Sequence, residues 1–364
     1  MAASSRRVRP SDLGPSELDR WRELQRGNPA LASPFFCPEF SLAVDGARAD
    51  AAVTVIEEEG EIVAFFPFQT NRLGLGRPIG GVLSDHHGVI AASETLIDVP
   101  AMLRASKLRR WTYAELVTTQ PGLHRAARSS APSPLIDLSE GVDAYLEERG
   151  QATSFFRQLR ARTRRLERDV GPLRFVARTD SPEVLDQLRA WKSARYLASG
   201  FADLFVEPWA RDVTDAVVTA EGPGFMGMLT ALYAGDHLVA AHLGMCSATV
   251  WHWWLPAYAP EFGEYSPGSV LLAGTIEHAP VLGVSKIDLG TGPDPYKARV
   301  ANSAVDVVAG SVEPGPLTHA VGRAADRAVE LLRGSPRVRA AVRSSRDVVE
   351  RLRRVEVAGR STGV

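Results

Sequence analysis

The sequence predicts an α/β protein of two tandem lobes, each a mixed sheet with helices packed against it, and three observations lead there. At 364 residues the chain suits two domains of ordinary size better than one. A strand–turn–strand signal occurs once in each half. The second half also holds a strand–helix–strand unit, which makes a parallel pair through a right-handed crossover. The expected limits are residues 1–150 for an N-terminal lobe and 151–316 for a C-terminal lobe. Residues 317–364 are expected to form a helical, arginine-rich tail.

The elements follow in order. Leu18, Trp21 and Leu24 fall at helical spacing behind Ser16 as a cap, and Pro34-Phe35-Phe36 ends that stretch. Ala52 to Ile56 and Ile62 to Phe66 flank the turn Glu58-Glu59-Gly60-Glu61, a hairpin signal. Met228 to Tyr233, Ala234-Gly235-Asp236-His237 and Leu238 to Leu243 repeat it, which favours a duplicated domain. Between them Ser154 caps a helix over Phe155 to Asp169, stopped by Gly171-Pro172. Phe155, Leu159, Thr163 and Leu166 make its apolar face, and Arg157, Arg160, Arg164 and Arg168 another. A strand over Leu173 to Ala177 and a helix over Pro182 to Tyr196 come next.

Composition narrows the function classes. Hydrophobic residues at 45% and charged residues at 23% suffice for a sizeable core. A net charge of -1 argues against bulk attraction to nucleic acid or membrane. Cys37 and Cys246 lie too far apart in sequence for a disulfide framework or a zinc motif, so a reducing compartment is expected. Met1 to Pro10 lacks the apolar core of a secretory signal, and no apolar run reaches about 18 residues. A soluble, cytoplasmic protein is the expectation, with the oligomeric state left open. The lysines are Lys107, Lys192, Lys286 and Lys297, against a background of arginine, so a lysine within a motif attracts notice.

The stretch from Thr249 to Lys297 carries most of the chemistry. Val250 to Leu255 reads as a strand, Val270 to His278 as a helix and Val284 to Leu289 as a strand. Ser266-Pro267-Gly268-Ser269 opens the helix, and such a start offers backbone N–H groups to a pyrophosphate. An ordinary Pro-Gly helix entry reads the same way. Ligands at a crossover unit gather off the carboxyl ends of its strands, where Gly290 and Gly292 allow close backbone approach. Tyr296 and Lys297 add a proton donor and a fixed cation there, unless the segment is only a turn-rich loop. In the first half, Asp85 and His86 are candidates for a substrate cleft, where a histidine or carboxylate can accept a proton. Asp85-His86-His87 is a poor metal pattern, since neighbours seldom both point inward and no third ligand is marked, so no metal is expected. Alternation sends Trp251 and Trp253 to one face of their strand and His252 and Trp254 to the other. The arginine helix reads as a solvated face or as a phosphate contact. Neither a Gly-x-x-x-x-Gly-Lys loop nor a Gly-x-Ser-x-Gly elbow is present.

Phe155 to Tyr196, Leu255-Pro256-Ala257-Tyr258, Ser266-Pro267-Gly268 and Asp288-Leu289-Gly290 leading to Tyr296-Lys297 resemble the CelD-like acetyltransferases. These are relatives of the GNAT superfamily with a tandem architecture similar to that of Fem-type aminoacyl-tRNA transferases. Pro34-Phe35-Phe36, Pro38-Glu39-Phe40 and Asp85-His86 look like first-domain motifs of that family. The resemblance implies two GNAT-like lobes, acyl-CoA (acetyl-CoA) as donor and an amine as acceptor. Tyr265-Ser266-Pro267-Gly268 stands where ordinary acetyltransferases have Arg/Gln-x-x-Gly-x-Gly/Ala. That departure keeps two alternatives open: an aminoacyl-tRNA-dependent transferase with tRNA as partner, and a non-catalytic binding protein retaining the fold.

Overall fold

The computed structural model describes residues 4–124, 126–292 and 294–315. The expected arginine-rich tail lies outside them. The described residues up to Val312 form one compact unit.

The first half supplies β1 (Ser4–Val8), α1 (Pro15–Gly27), α2 (Pro38–Ala47), β2 (Ala51–Glu58), β3 (Glu61–Thr70), β4 (Leu75–Pro78) and β5 (Ile90–Ala91). It continues with α3 (Val99–Ala105), β6 (Arg110–Val117), α4 (Pro121–His124) and β7 (Ala127–Asp137). Gly14 rather than Ser16 caps α1, because Glu17 reaches back to accept from the Gly14 N–H and closes the first turn. Glu59 and Gly60, at φ 54° and 91°, make the primed two-residue turn that a right-twisted hairpin prefers.

The second half begins with α5 (Val142–Ala152), which occupies the expected junction, then α6 (Phe155–Asp169) and β8 (Leu173–Val176). It goes on through α7 (Pro182–Ala198), α8 (Pro208–Thr219), β9 (Glu221–Gly222), β10 (Phe225–Ala234), β11 (His237–Ser247) and β12 (Val250–Tyr258). α9 (Pro267–His278), β13 (Lys286–Asp288), α10 (Pro295–Val300) and β14 (Ser303–Val312) complete it. Phe156, Leu159 and Leu166 are the buried side chains of α6, so the apolar stripe runs through Phe156 where Phe155 was expected.

All the strands join one mixed sheet in the order β1-β2-β3-β4-β6-β14-β7-β13-β12-β11-β10-β8, with β5 on β3 and β9 on β10. Read from either end, the order is the same fold written twice. The hairpins β2–β3 and β10–β11 are each second and third from an end, and β4–β6 and β12–β13 are the parallel pairs. Two tandem lobes of mixed α/β type therefore share one sheet. The final strands are exchanged: β7 of the first half lies between β14 and β13, and β14 of the second lies between β6 and β7. The β7–β14 ladder runs from Leu135–Ser303 to Ala127–Gly310 and stitches the halves together.

Cores lie on both faces of this sheet. Phe35, Phe40 and Val44 pack with Leu188, Val213, Leu243 and Trp254, so first-half helix and second-half sheet share one core. Trp251 and Trp253 face the other way, into a core with Leu159, Leu271 and Ile276. The alternation read from the sequence holds along β12.

The two parallel pairs differ in one respect. β12 pairs with β13 only over Val250–His252, and β12 then runs on to Tyr258 beyond the end of β13. A wedge opens there between the strands. In the first lobe β4 is the short partner, and the chain from Ser84 to Gly88 returns to lie along β6, with His87 bridging to Leu116. The first-lobe wedge is filled by its own backbone, whereas in the second lobe no described strand pairs with β12 on that side beyond His252.

Candidate active site

The closed end of the β12–β13 wedge, where the strands begin to part, is where the two halves bring their polar side chains together. His87 sets the first-half contribution. Its Nδ1 accepts from the Glu115 N–H at 3.1 Å and its Nε2 donates to the Ser84 carbonyl at 2.9 Å. Burial holds this ring neutral, with its pKa down to about 4. His87 therefore works as a backbone clamp, and its neighbours Asp85 and His86 are turned toward the second half.

Asp85 Oδ2 lies 2.8 Å from Nε2 of His252 on β12, and His86 Nε2 lies 2.7 Å from Oδ2 of Asp288 on β13. The other oxygen of Asp288 accepts from Ser133 Oγ on β7 at 2.7 Å and from the Gly290 N–H at 2.9 Å. His252 Nδ1 is 3.8 Å from Asp288 Oδ2, too long for a hydrogen bond. Only Asp85 reaches solvent, its side chain being 27% exposed while those of His86, His252 and Asp288 are 3% or less. Phe35 forms the floor, its ring edge-on to His252 at 4.8 Å and to Trp254 at 5.9 Å.

Charge decides the protonation states. Burial works against ionised Asp288, but the charges of His86 and His252 and the hydrogen bonds from His86 and Gly290 outweigh it and hold its carboxyl well below the usual range. Burial likewise opposes a charged His86, yet the Asp288 carboxylate raises its pKa above the ordinary imidazole value. Glu115 on β6, which accepts from Thr291 Oγ1 at 2.5 Å, is pushed up to about 7 by burial and by Asp85. Lys192 on α7 is lowered to about 8, chiefly by burial and by Arg195.

His86, His252 and Asp288 offer three potential ligand atoms within 4.8 Å of one another. Two atoms bound tetrahedrally to one zinc at about 2.1 Å would sit about 3.4 Å apart. The 2.7 Å between His86 and Asp288 is instead the spacing of a shared proton.

Of the residues singled out from the sequence, Asp85, His86 and Gly290 meet in this cluster. Lys297 is beside it, on the first turn of α10, where its Nζ donates to the carbonyls of Gly290 at 3.1 Å and Thr291 at 2.6 Å. Its ammonium thus ties down the loop that carries Gly290 and Gly292, whose φ angles of 68° and 120° suit glycine. Tyr296, next to it, is half-buried against the Trp253 core, where burial and Asp294 keep its phenol protonated.

Ser266, Pro267, Gly268 and Ser269 stand apart from the cluster. They begin α9, just past the far end of β12, which rises about 20 Å from His252 to Tyr258. Ser266 holds a left-handed φ of 56°, and its carbonyl takes the N–H groups of Ser269 and Val270. Pro267 has no N–H, so Gly268 is left to present one at the helix mouth. α6 supplies cations here: Arg162 donates to Ser266 Oγ at 2.7 Å, and Arg165 lies 5.2 Å over the Tyr265 ring.

His252, Asp288, Ser133 and Glu115 were not recognised in the sequence as site residues. His252 carried the one usable signal, a polar residue on the Phe35 face of an otherwise apolar strand.

Residues 153–298 match the acetyltransferase (GNAT) domain family. No curated protein matches the sequence at a significant level. Among solved structures the chain resembles FemX at 11% identity and TM-score 0.56, covering 81% of this chain and 94% of that one. It also resembles the C-terminal domain of the "Putative Lysylphosphatidylglycerol Synthetase" from Agrobacterium fabrum, at 14% identity and TM-score 0.51, covering 85% and 96%. A tandem GNAT protein from the clavulanic acid biosynthesis pathway matches at 12% identity and TM-score 0.50, covering 86% and 99%. The fold is that of a GNAT-type acyltransferase. No helix among the described residues is long and apolar enough to cross a membrane.

Proposed function

We propose that this protein is an N-acyltransferase that moves an acyl group, with acetyl the simplest case, from acyl-CoA to a primary amine. The observation that carries the reading is the Asp85–His252 pair at the point where β12 and β13 part, with Asp85 as its solvent-facing member. The acceptor would arrive as an ammonium ion, drawn by Asp85 and Glu115, and must lose a proton before its nitrogen can attack. Asp85 is placed to take that proton, and His252 behind it to share the charge. The donor supplies the activated carbonyl. Its phosphates suit the Gly268 N–H and Arg162 at the start of α9, and its length suits the roughly 20 Å between that corner and His252.

As the nitrogen–carbon bond forms the carbon–sulfur bond breaks; Tyr296 is the candidate to protonate the leaving thiolate, and the second proton lost by the nitrogen replaces the one Tyr296 gives up. A thiol has a reference pKa near 8.5, so this help is modest. Lys297 acts here as a positioning residue for the Gly290 loop. The Gly268 N–H and Arg162 at the start of α9, a pyrophosphate-sized corner at about 20 Å along β12 from His252, support acyl-CoA over an aminoacyl-tRNA.

The test is thiol release from acetyl-CoA against a panel of primary amines, followed colorimetrically. Asp85→Asn should lower turnover by about a hundredfold and leave the dissociation constant of acetyl-CoA nearly unchanged. No thiol release with any amine, together with tRNA binding that falls steeply with salt, would overturn the reading.

A further inference from the structure

We infer that Lys192 on α7 holds an anionic group of the acceptor, and that the amine acylated here therefore belongs to an amino acid or a similar small zwitterion. This deepens the acyl-transfer reading and rests on it. α7 packs on the sheet face that carries His252 and Trp254: Leu188 is buried in one core with Phe35 and Trp254, and Trp191 and Tyr196 pack against that core. Lys192, Arg195 and Tyr196 fall at i, i+3 and i+4, so they share one side of the helix. That side meets the chain entering α10, because Arg195 lies 3.8 Å from Asp294, which is also 3.8 Å from Lys297. The Lys192 Nζ stands 5.3 Å from the centre of the Tyr196 ring.

Lys192 is half-buried, and among the described residues its ammonium has no hydrogen-bond or ion-pair partner. The cations beside it are engaged. Lys297 is spent on the carbonyls of Gly290 and Thr291, and Arg195 is drawn to Asp294. Burial and the positive charge of Arg195 work against the Lys192 ammonium and bring its pKa down to about 8, which leaves it charged at neutral pH. A cation held partly out of water with nothing to balance it is a cost to the fold, and such groups gather where ligands bind. An ammonium on a flexible stem also seats a single anion without the several acceptors that a guanidinium demands.

The missing anion belongs to the acceptor. Lys192 and Tyr196 both lie within the field of Asp85, whose own hydrogen bond and ion pair go to His252. An acid and an ammonium thus face the same cleft without meeting. A plain amine entering between them gains at Asp85 and is repelled by Lys192. A zwitterion gains at both ends, with its ammonium toward Asp85 and its carboxylate toward Lys192. The donor's phosphates have no call on this lysine, since the corner assigned to them at the start of α9 is about 20 Å along β12 from the Asp85–His252 pair.

Matched pairs of acceptors test this in the wild-type protein with acetyl-CoA: alanine against ethylamine, phenylalanine against phenethylamine and lysine against cadaverine. In at least one pair the amino acid should have a kcat/KM about tenfold or more above that of the amine lacking the carboxylate, the worth of one charge-assisted hydrogen bond. In Lys192→Met that advantage should disappear, while kcat/KM for the plain amine stays within about twofold of wild type. The substitution removes an ammonium that burial disfavours, so the melting temperature should not fall. Equal use of both members of every pair by the wild type would overturn the inference. So would an equal loss for both members in Lys192→Met, which would put the lysine at the reacting carbonyl instead. Calorimetric titration of the same amino acids without acetyl-CoA separates the two readings: binding that Lys192→Met weakens about tenfold, with no acylation of any amine, would count against the reaction alone. Neither acylation nor binding of any amino acid would overturn both.

Discussion

Glu115 combines two demands that oppose each other: it faces the cleft as a candidate for drawing in a cation, and it sits where ionisation is costly. Its pKa is raised from 4.5 to about 7 by burial and by Asp85. The folded state therefore binds this proton more tightly than the unfolded state does, and stability falls as pH rises from about 4.5 through about 7. Glu115→Gln should remove that slope, raising the melting temperature at pH 8 and leaving it almost unchanged at pH 4. An unaltered difference between the two pH values would show that another group sets it. At this scale the sequence was legible only in part. Asp85 and His86 stood out as adjacent polar residues after a glycine turn, and the structure brings them to the cleft. Asp288 and Ser133 did not, because one ends β13 and the other lies within β7, and what gives them meaning is the strand placed next to them.

Elements behave more predictably, since their signals are local. The hairpins, α6, α7 and the strand–helix–strand unit could be read from periodicity and caps. The start of α9 could be read as an anion corner, but the arginines that join it come from α6, more than 90 residues earlier. Gly268→Val tests that corner cleanly: an added Cβ meets only Tyr258 at 3.5 Å, an ordinary contact, so the fold should survive. Calorimetric affinity for acetyl-CoA should drop about tenfold, and an unchanged value would remove α9 from the donor site. Gly227 is the opposite case. A Cβ there would lie 1.7 Å from the Val217 carbonyl, where β10 passes under the end of α8. Backbone on both sides cannot yield, so Gly227→Ala should cost about 3 kcal/mol in urea unfolding. A loss below about 0.5 kcal/mol would mean that α8 can move away freely.

At the scale of the whole molecule the duplication was legible as a repeated hairpin, but the exchange of final strands was not. Nothing in the local sequence of β7 or β14 says which half each will pair with. Strand exchange makes the connection between the halves dispensable once folding is complete. A protease site inserted between Asp137 and Val142 should therefore yield two fragments that co-elute and melt together after cleavage, whereas residues 1–140 produced alone should aggregate. Separation of the cut fragments under native conditions would contradict the ladder between β7 and β14. The same exchange also has a consequence in time. β7 is complete at Asp137, but both of its neighbours, β13 and β14, are made later, the second ending roughly 175 residues on at Val312. At about 5–20 residues per second, the edges of β6 and β7 wait on the order of 10 to 35 seconds on the ribosome before their partners exist. Slow synthesis lengthens the interval in which those bare edges can find the wrong strand, so the yield of folded protein should depend on the pace of translation through the second half.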